Sequence, residues 1–157
     1  MNIDELSIDP RIIDFLKSQG YTELYPPQKD AVNAGILDEK NILVSTPTAS
    51  GKTLIATLAI IQHVIKRRTK VVYLSPLRAL AAEKFSEFKK LETMKLDRKI
   101  KVTISTGDFD SVGNLTNSDI LILTNEKMDS LMRHGPAWID DIGLVVSDEI
   151  HLVGDEG

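Results

Sequence analysis

The chain has 157 residues, of which 42% are hydrophobic, with no cysteine and a formal net charge of -4. That is enough apolar material for one packed domain and too little for two, and it leaves neither a disulfide framework nor a thiolate metal site. Net negative charge excludes a broad basic footprint, so any contact with nucleic acid has to be local.

The opening stretch MNIDELSIDP is acidic and has no apolar segment of the kind a signal peptide needs. Two helices are predicted first, over residues 10–18 and 27–37, with Gly20 and the YPP turn between them. Apolar runs then follow at NILVST, KVVYLS, KIKVTIS, DILILT and IGLVVS, each short enough for a buried strand. Helical periodicity occupies residues 51–67, 78–91 and 125–133, in each case just after a strand. Within 54–65, the longest apolar stretch, Gln62 and His63 break the run, so no membrane span is expected and the compartment should be the cytoplasm, or the nucleus in a eukaryote. Strands alternating with helices predict an α/β fold, a mostly parallel sheet flanked by helices. In the helix after KVVYLS, Leu77, Ala81, Phe85, Phe88 and Leu91 recur at three- and four-residue spacing and should face the sheet. Only TGDFDSVGNLTNSD reads as an extended polar loop.

TPTASGKT, Thr46 to Thr53, lies between a predicted strand and an apolar helix, where a phosphate-binding loop is expected. Such a loop works because successive backbone N–H groups at a helix start converge on an anion and the helix dipole adds to the attraction. Ala49, Ser50, Gly51, Lys52 and Thr53 can supply those amides, whereas Pro47 cannot. The generic pattern has Gly where Thr46 stands, but that position needs only to turn. Lys52 would reach the β- and γ-phosphates and the Thr53 hydroxyl would serve Mg²⁺.

Mg²⁺·ATP hydrolysis also needs a carboxylate near the metal and a group that orients water. LVVSDEIH offers both at the carboxyl end of an apolar strand, where ligands bind in open α/β sheets. Asp148 is assigned to Mg²⁺ through water and Glu149 to the attacking water. His151 has no second His or Cys at ligand spacing, so a structural or relay role is expected. Gln28 in LYPPQ could pair with the N6 and N7 edge of adenine, or could simply follow a proline at a helix start while Tyr21 and Tyr25 pack.

Taken in order, YPPQ, TPTASGKT, SPLRALAAEK, TGDFD, TNEK and DEIH resemble the Q motif and motifs I, Ia, Ib, Ic and II of superfamily 2 DExH-box helicases. The likeness covers nearly the whole chain and is strongest to the Ski-like branch, among archaeal repair helicases that act on forked DNA. In that family position 46 is often Ala or Gly, which lessens the weight of the missing glycine. The resemblance implies a RecA-like P-loop NTPase domain over residues 1–157, with 1–38 as a helical Q-motif segment, that uses ATP and Mg²⁺ to unwind nucleic acid. It assigns Gln28 to adenine and His151 to coupling the ATP site with later motifs. It also implies 3′–5′ unwinding in repair or recombination, and a sheet truncated before its last strands, with a second RecA-like domain that supplies arginines absent from the sequence.

The same resemblance gives single-stranded nucleic acid to Pro76, Leu77, Arg78, Thr106, Gly107, Thr124, Asn125 and Lys127. Local chemistry agrees: Ser75 could cap a helix with Pro76 at its first position, and Thr124 could cap the helix that starts at Asn125, leaving amides suited to phosphates. The KRRTK cluster reads as cations at a helix C-terminus, Met128, Leu131 and Met132 as core, and His134-Gly135-Pro136 as a helix stop. Lacking its second domain, the chain should bind ATP weakly and hydrolyse it very slowly, and an unfinished sheet edge could favour self-association. Alternatives are a noncatalytic nucleic-acid-binding module and an RNA helicase of the same branch. A GTPase is disfavoured because TNEKMD does not supply the base-reading Asn-Lys-x-Asp, although residues 110–113 match a bare Asp-x-x-Gly.

Overall fold

The computed structural model describes residues 1–46, 51–106 and 115–149. It divides into two compact units, Met1–Lys66 and Arg67–Gly157.

In the first unit, α1 (Pro10–Ser18) begins as its sequence predicts. The Asp9 carboxylate accepts the Arg11 N–H at 2.9 Å, Pro10 occupies the first turn, and Ile12 and Leu16 are fully buried. The second helix, α2 (Pro26–Ala34), is shorter than the predicted 27–37. Gly35 takes a left-handed conformation with φ 104° and stops it, and a 3₁₀ turn, Ile36–Asp38, follows. Helix α3 (Lys52–Lys66) buries Leu54, Ile55, Leu58, Ile60, Ile61 and Val64, and the two polar residues in its apolar stretch are buried as well. Both are satisfied, which is why burial tolerates them: Gln62 donates to the Leu37 carbonyl at 3.3 Å, and His63 Nδ1 lies 3.3 Å from a Glu39 carboxylate oxygen.

NILVST is not a strand. Residues 41–46 join no ladder, and Leu43 is 81% exposed. Apolar, β-branched composition favours an extended chain, but a strand also needs a partner for its N–H and C=O groups, and none of the described strands pairs with this one.

The second unit is a four-stranded sheet of order β2-β3-β1-β4, parallel throughout, from β1 (Lys70–Ser75), β2 (Val102–Ser105), β3 (Ile120–Thr124) and β4 (Ile142–Ser147). Helices α4 (Arg78–Phe88) and α5 (Asn125–His134) follow β1 and β3. Period-two alternation sends neighbouring residues of a strand to opposite faces. On one face, Val72, Leu121, Leu123 and Trp138 form a core against which Met128 and Leu131 of α5 pack. On the other, the rings of Tyr73 and Phe88 of α4 meet with centroids 5.1 Å apart. With a helix on each side, all of β3 is buried, which explains its unbroken apolar run. Each of its fully buried Ile and Leu side chains contributes about 1.5–3 kcal/mol as an upper figure.

Three readings need correction here. The helix after β1 starts at Arg78, as its periodicity predicts, but Ser75 is not its cap, because Ser75 is still in the ladder opposite Thr124 and its hydroxyl donates to the Leu77 carbonyl at 3.1 Å. Leu77 is therefore the extended residue before the helix, 53% exposed, and leaves the sheet-facing row to Ala81, Phe88 and Leu91, with Phe85 half-buried. Met132 is also not core, at 61% exposed. Lys70 is not one of the helix-terminal cations that KRRTK suggests either, being the first residue of β1. It is buried, and its ammonium donates to the carbonyls of Leu115, Thr116 and Ser118 at 2.9, 2.7 and 2.5 Å while lying 5.8 Å from the Trp138 ring centroid. Burial pulls its pKa below the ordinary lysine value, and Asp119 and Asp141 act in the opposite direction.

Candidate nucleotide and nucleic-acid site

In the first unit, Gly51, Lys52 and Thr53 stand at the start of α3, with the Gly51 carbonyl accepting the Ile55 N–H at 3.3 Å. Gly51 has φ 104°, which only glycine adopts without strain, and a Cβ there would come within 3.1 Å of Gln28 Nε2. Gln28 is 2% exposed: its Oε1 accepts the Tyr25 N–H at 2.8 Å and its Nε2 donates to the Gly51 carbonyl at 3.3 Å. The two sequence motifs of this unit are thus in direct contact. Tyr25 and Tyr21 do not pack inside, being 65% and 38% exposed. Ala49 and Ser50 lie outside the described residues. A cleft of about 340 Å³ lined by Ser7, Asp9, Leu37, Gln62 and Lys66 lies at the other end of α3 from Lys52. At 1.5 Å rise per residue, the length of that helix, roughly 20 Å, separates the cleft from the loop.

In the second unit the strands are parallel, so their carboxyl ends share one edge. Ser75 with Pro76, Leu77 and Arg78 follows β1, Thr106 follows β2, Thr124 with Asn125 and Lys127 follows β3, and Asp148 and Glu149 follow β4. The fold therefore gathers these sequence-selected residues along a single edge. The Thr124 hydroxyl accepts the Lys127 N–H at 3.3 Å and caps α5 as predicted. Thr106 is 5% exposed, so its side chain faces inward rather than to solvent. Gly107, His151 and the Asp-x-x-Gly at 110–113 lie outside the described residues.

Asp148 is held on every side by its own chain. Its N–H donates to the Leu74 carbonyl at 3.0 Å, extending the ladder one residue past β4. Its Oδ1 accepts the Glu149 N–H at 2.9 Å and its Oδ2 accepts the Tyr73 hydroxyl at 2.5 Å. Burial pushes the Tyr73 phenol far above its ordinary pKa and the bond to Asp148 adds to the shift, so the phenol keeps its proton and acts as the donor. Glu149 has φ 50°, a left-handed conformation uncommon outside glycine. Tyr73 is the site residue that sequence reasoning missed. The available signal was a tyrosine inside a buried apolar strand, whose hydroxyl must find a partner.

In the first unit, the amides that open α3, with an ammonium at Lys52 and a hydroxyl at Thr53, are of the chemistry that suits a phosphate and its cation. In the second, the Asp148 carboxylate is a hard oxygen donor of the kind Mg²⁺ takes.

Residues 25–157 match the DEAD/DEAH box helicase family model, and the chain belongs to that family. It is similar to the ATP-dependent DNA helicase Hel308 of Pyrococcus horikoshii, with 52% identity over 98% of this chain and 21% of that protein. The Hel308 of Thermococcus kodakarensis is 48% identical over 98% of this chain and 13% of its own length, and that of Methanocella arvoryzae 46% over 98% and 21%. Among solved structures, the DUF1998 helicase MrfA bound to DNA superposes with a TM-score of 0.74 at 30% identity, over 88% of this chain and 21% of that one. These matches establish the RecA-like helicase fold. The chain spans about a fifth or less of the length of each of these relatives. No helix among the described residues is long and apolar enough to cross a membrane.

Proposed function

We propose that this chain is the first, ATP-binding motor domain of an ATP-dependent DNA helicase. One observation supports the reading beyond family membership: in the second unit, Asp148 and Glu149 and the residues that open α4 and α5 lie at the carboxyl edge of the parallel sheet, the edge at which open α/β sheets bind ligands. Ala49, Ser50, Gly51 and Lys52 would hold the phosphates, and Gln28 would meet the adenine once its buried amide leaves the Tyr25 N–H and the Gly51 carbonyl. Thr53 and, through water, Asp148 would hold Mg²⁺, which when bound neutralises charge on the β- and γ-phosphates. The Glu149 carboxylate orients the attacking water and takes up its proton. His151 would link this site to later parts of the motor.

Pro76, Leu77, Arg78, Thr106, Gly107, Thr124, Asn125 and Lys127 would hold a single strand through its backbone, which reads no sequence, Thr106 with its main chain because its side chain faces inward. DNA is preferred over RNA because the similar proteins are DNA helicases by name and the solved neighbour is bound to DNA. Unwinding, in the 3′–5′ direction and in repair or recombination, would require a second RecA-like domain supplying arginines to the γ-phosphate. Alone, the chain should bind ATP weakly and turn it over very slowly, since an arginine finger is worth about 10³–10⁵ in rate in related phosphoryl transfers. A cytoplasmic location and self-association through an open sheet edge accompany the proposal.

The test is titration of Mg²⁺·ATP into the wild-type chain and Lys52→Ala. A loss of about tenfold or more supports the site, as expected for a charge-assisted phosphate contact. Equal affinity in the two proteins removes it. Adding a separately made second domain and single-stranded DNA should restore ATPase activity, and failure with folded components favours a binding module instead.

A further inference from the structure

We propose that Tyr73 is a positioning residue for the metal carboxylate, its hydroxyl holding Asp148 in the orientation that Mg²⁺·nucleotide requires. The inference rests on reading Asp148 as that carboxylate.

A surface aspartate samples several χ1 and χ2 rotamers, and each rotamer aims its oxygens at a different point. Asp148 has no such freedom. Its backbone is tied to Leu74 and its Oδ2 to Tyr73, so both its main chain and its side chain are anchored to adjacent residues of β1. The Glu149 N–H, presented by a left-handed backbone, takes Oδ1. A carboxylate has about four lone-pair sites, so two donors fix its plane and leave sites on each oxygen for the water shell of a cation. The phenol is itself fixed. Tyr73 is 2% exposed, and Phe88 packs on its ring with centroids 5.1 Å apart.

The arrangement has a clear division of labour. The Tyr73 ring serves the core, and its hydroxyl reaches the end of the neighbouring strand. Residue 73 pairs with Val146 across the parallel ladder, so it faces the same side as Val146 and, two positions on, Asp148. Register therefore decides the contact, and a shift of one residue would point Asp148 to the other face. Moreover, β1 continues directly into Ser75, Pro76, Leu77 and Arg78, so the strand that grips the carboxylate also presents the turn proposed for nucleic acid.

The experiment compares the wild-type chain, Tyr73→Phe and Phe88→Leu by titrating a fluorescent ATP analogue with Mg²⁺ present and again with EDTA. Tyr73→Phe keeps the ring and removes only the donor. The expected result is a Mg²⁺ requirement shifted about tenfold upward, the low end of what loss of an outer-shell partner costs a metal site, with little change in EDTA. Phe88→Leu loosens the same ring but keeps the hydroxyl, and should lower the melting temperature while shifting the Mg²⁺ requirement far less than Tyr73→Phe does. Equal Mg²⁺ dependence in Tyr73→Phe and wild type would overturn the proposal, as would the same shift in Phe88→Leu, because packing alone would then account for it. A wild-type chain whose nucleotide binding ignores Mg²⁺ altogether would instead remove the reading of Asp148 on which the proposal stands.

Discussion

The Gln28 side-chain amide donates to the carbonyl of Gly51 at 3.3 Å, joining the start of one helix to the residue just before another. Gly51→Ala should disturb both partners. The new Cβ would meet Gln28 Nε2 at 3.1 Å and sit on a backbone with φ 104°. Strain of this kind costs on the order of 1–3 kcal/mol, so thermal melting should fall by several degrees and nucleotide affinity should fall with it. Unchanged melting would mean that the loop readily adopts another conformation.

Replacing Lys70 by Met should be costly for a residue that sequence alone places in a basic cluster. Removal of the ammonium takes a donor from each of the carbonyls of Leu115, Thr116 and Ser118, of which Leu115 keeps the Ser118 N–H at 3.2 Å. A loss of about 2 kcal/mol is expected from three hydrogen bonds given up at once, measurable by urea unfolding. Neighbouring Arg68→Met, on an exposed side chain, should stay within about 0.5 kcal/mol.

Acid stability should depend in part on Asp9. The hydrogen bond from the Arg11 side chain, with that from the Arg11 backbone, holds its carboxyl below the ordinary value of 3.8. The folded state therefore releases this proton more readily than the unfolded chain. The stabilisation is fully present above the unfolded pKa and is lost as the pH falls through the lower, folded one. Asp9→Ala should cost about 1 kcal/mol at neutral pH through loss of the helix cap, and should flatten the pH dependence of unfolding below about pH 4. An unchanged acid limb would show that other carboxylates govern it.

Binding to single-stranded DNA should weaken in Arg78→Ala and in Lys127→Ala to a similar degree whatever the sequence. Each should reduce the slope of log affinity against log salt by about one unit or less, as for a single phosphate contact. A sequence-dependent loss would point to base contacts instead.

Much of the sheet was legible because its central strands, β1 and β3, are buried almost throughout and read as nearly unbroken apolar runs, as in Ile120–Thr124. Helix α1 was legible to the residue because Asp9 and Pro10 are local signals. NILVST misled for the opposite reason: its composition is that of a strand, but pairing is a property of neighbours that composition does not contain. Ser75 misled because a serine before a proline signals a cap only when the strand has already ended, and here the ladder runs through it. Of the proposed site residues, Lys52, Thr53, Asp148 and Glu149 are read from spacing. The Tyr73 contact depends on register between two strands 75 positions apart at the bonded residues, which no local pattern encodes.

Strand β1 has a ladder neighbour on each side, β3 and β4, whereas β2 and β4 each have one. It also carries the Lys70 clamp at its first residue and the Tyr73 grip near its last. Backbone amides of this strand and of β3, which also lies between two neighbours, should exchange with deuterium more slowly than those of β2 and β4, since releasing them means parting two ladders at once. β1 is thus the keel of the second unit, and a mutational scan along it would record loss of the fold and loss of the site as one event.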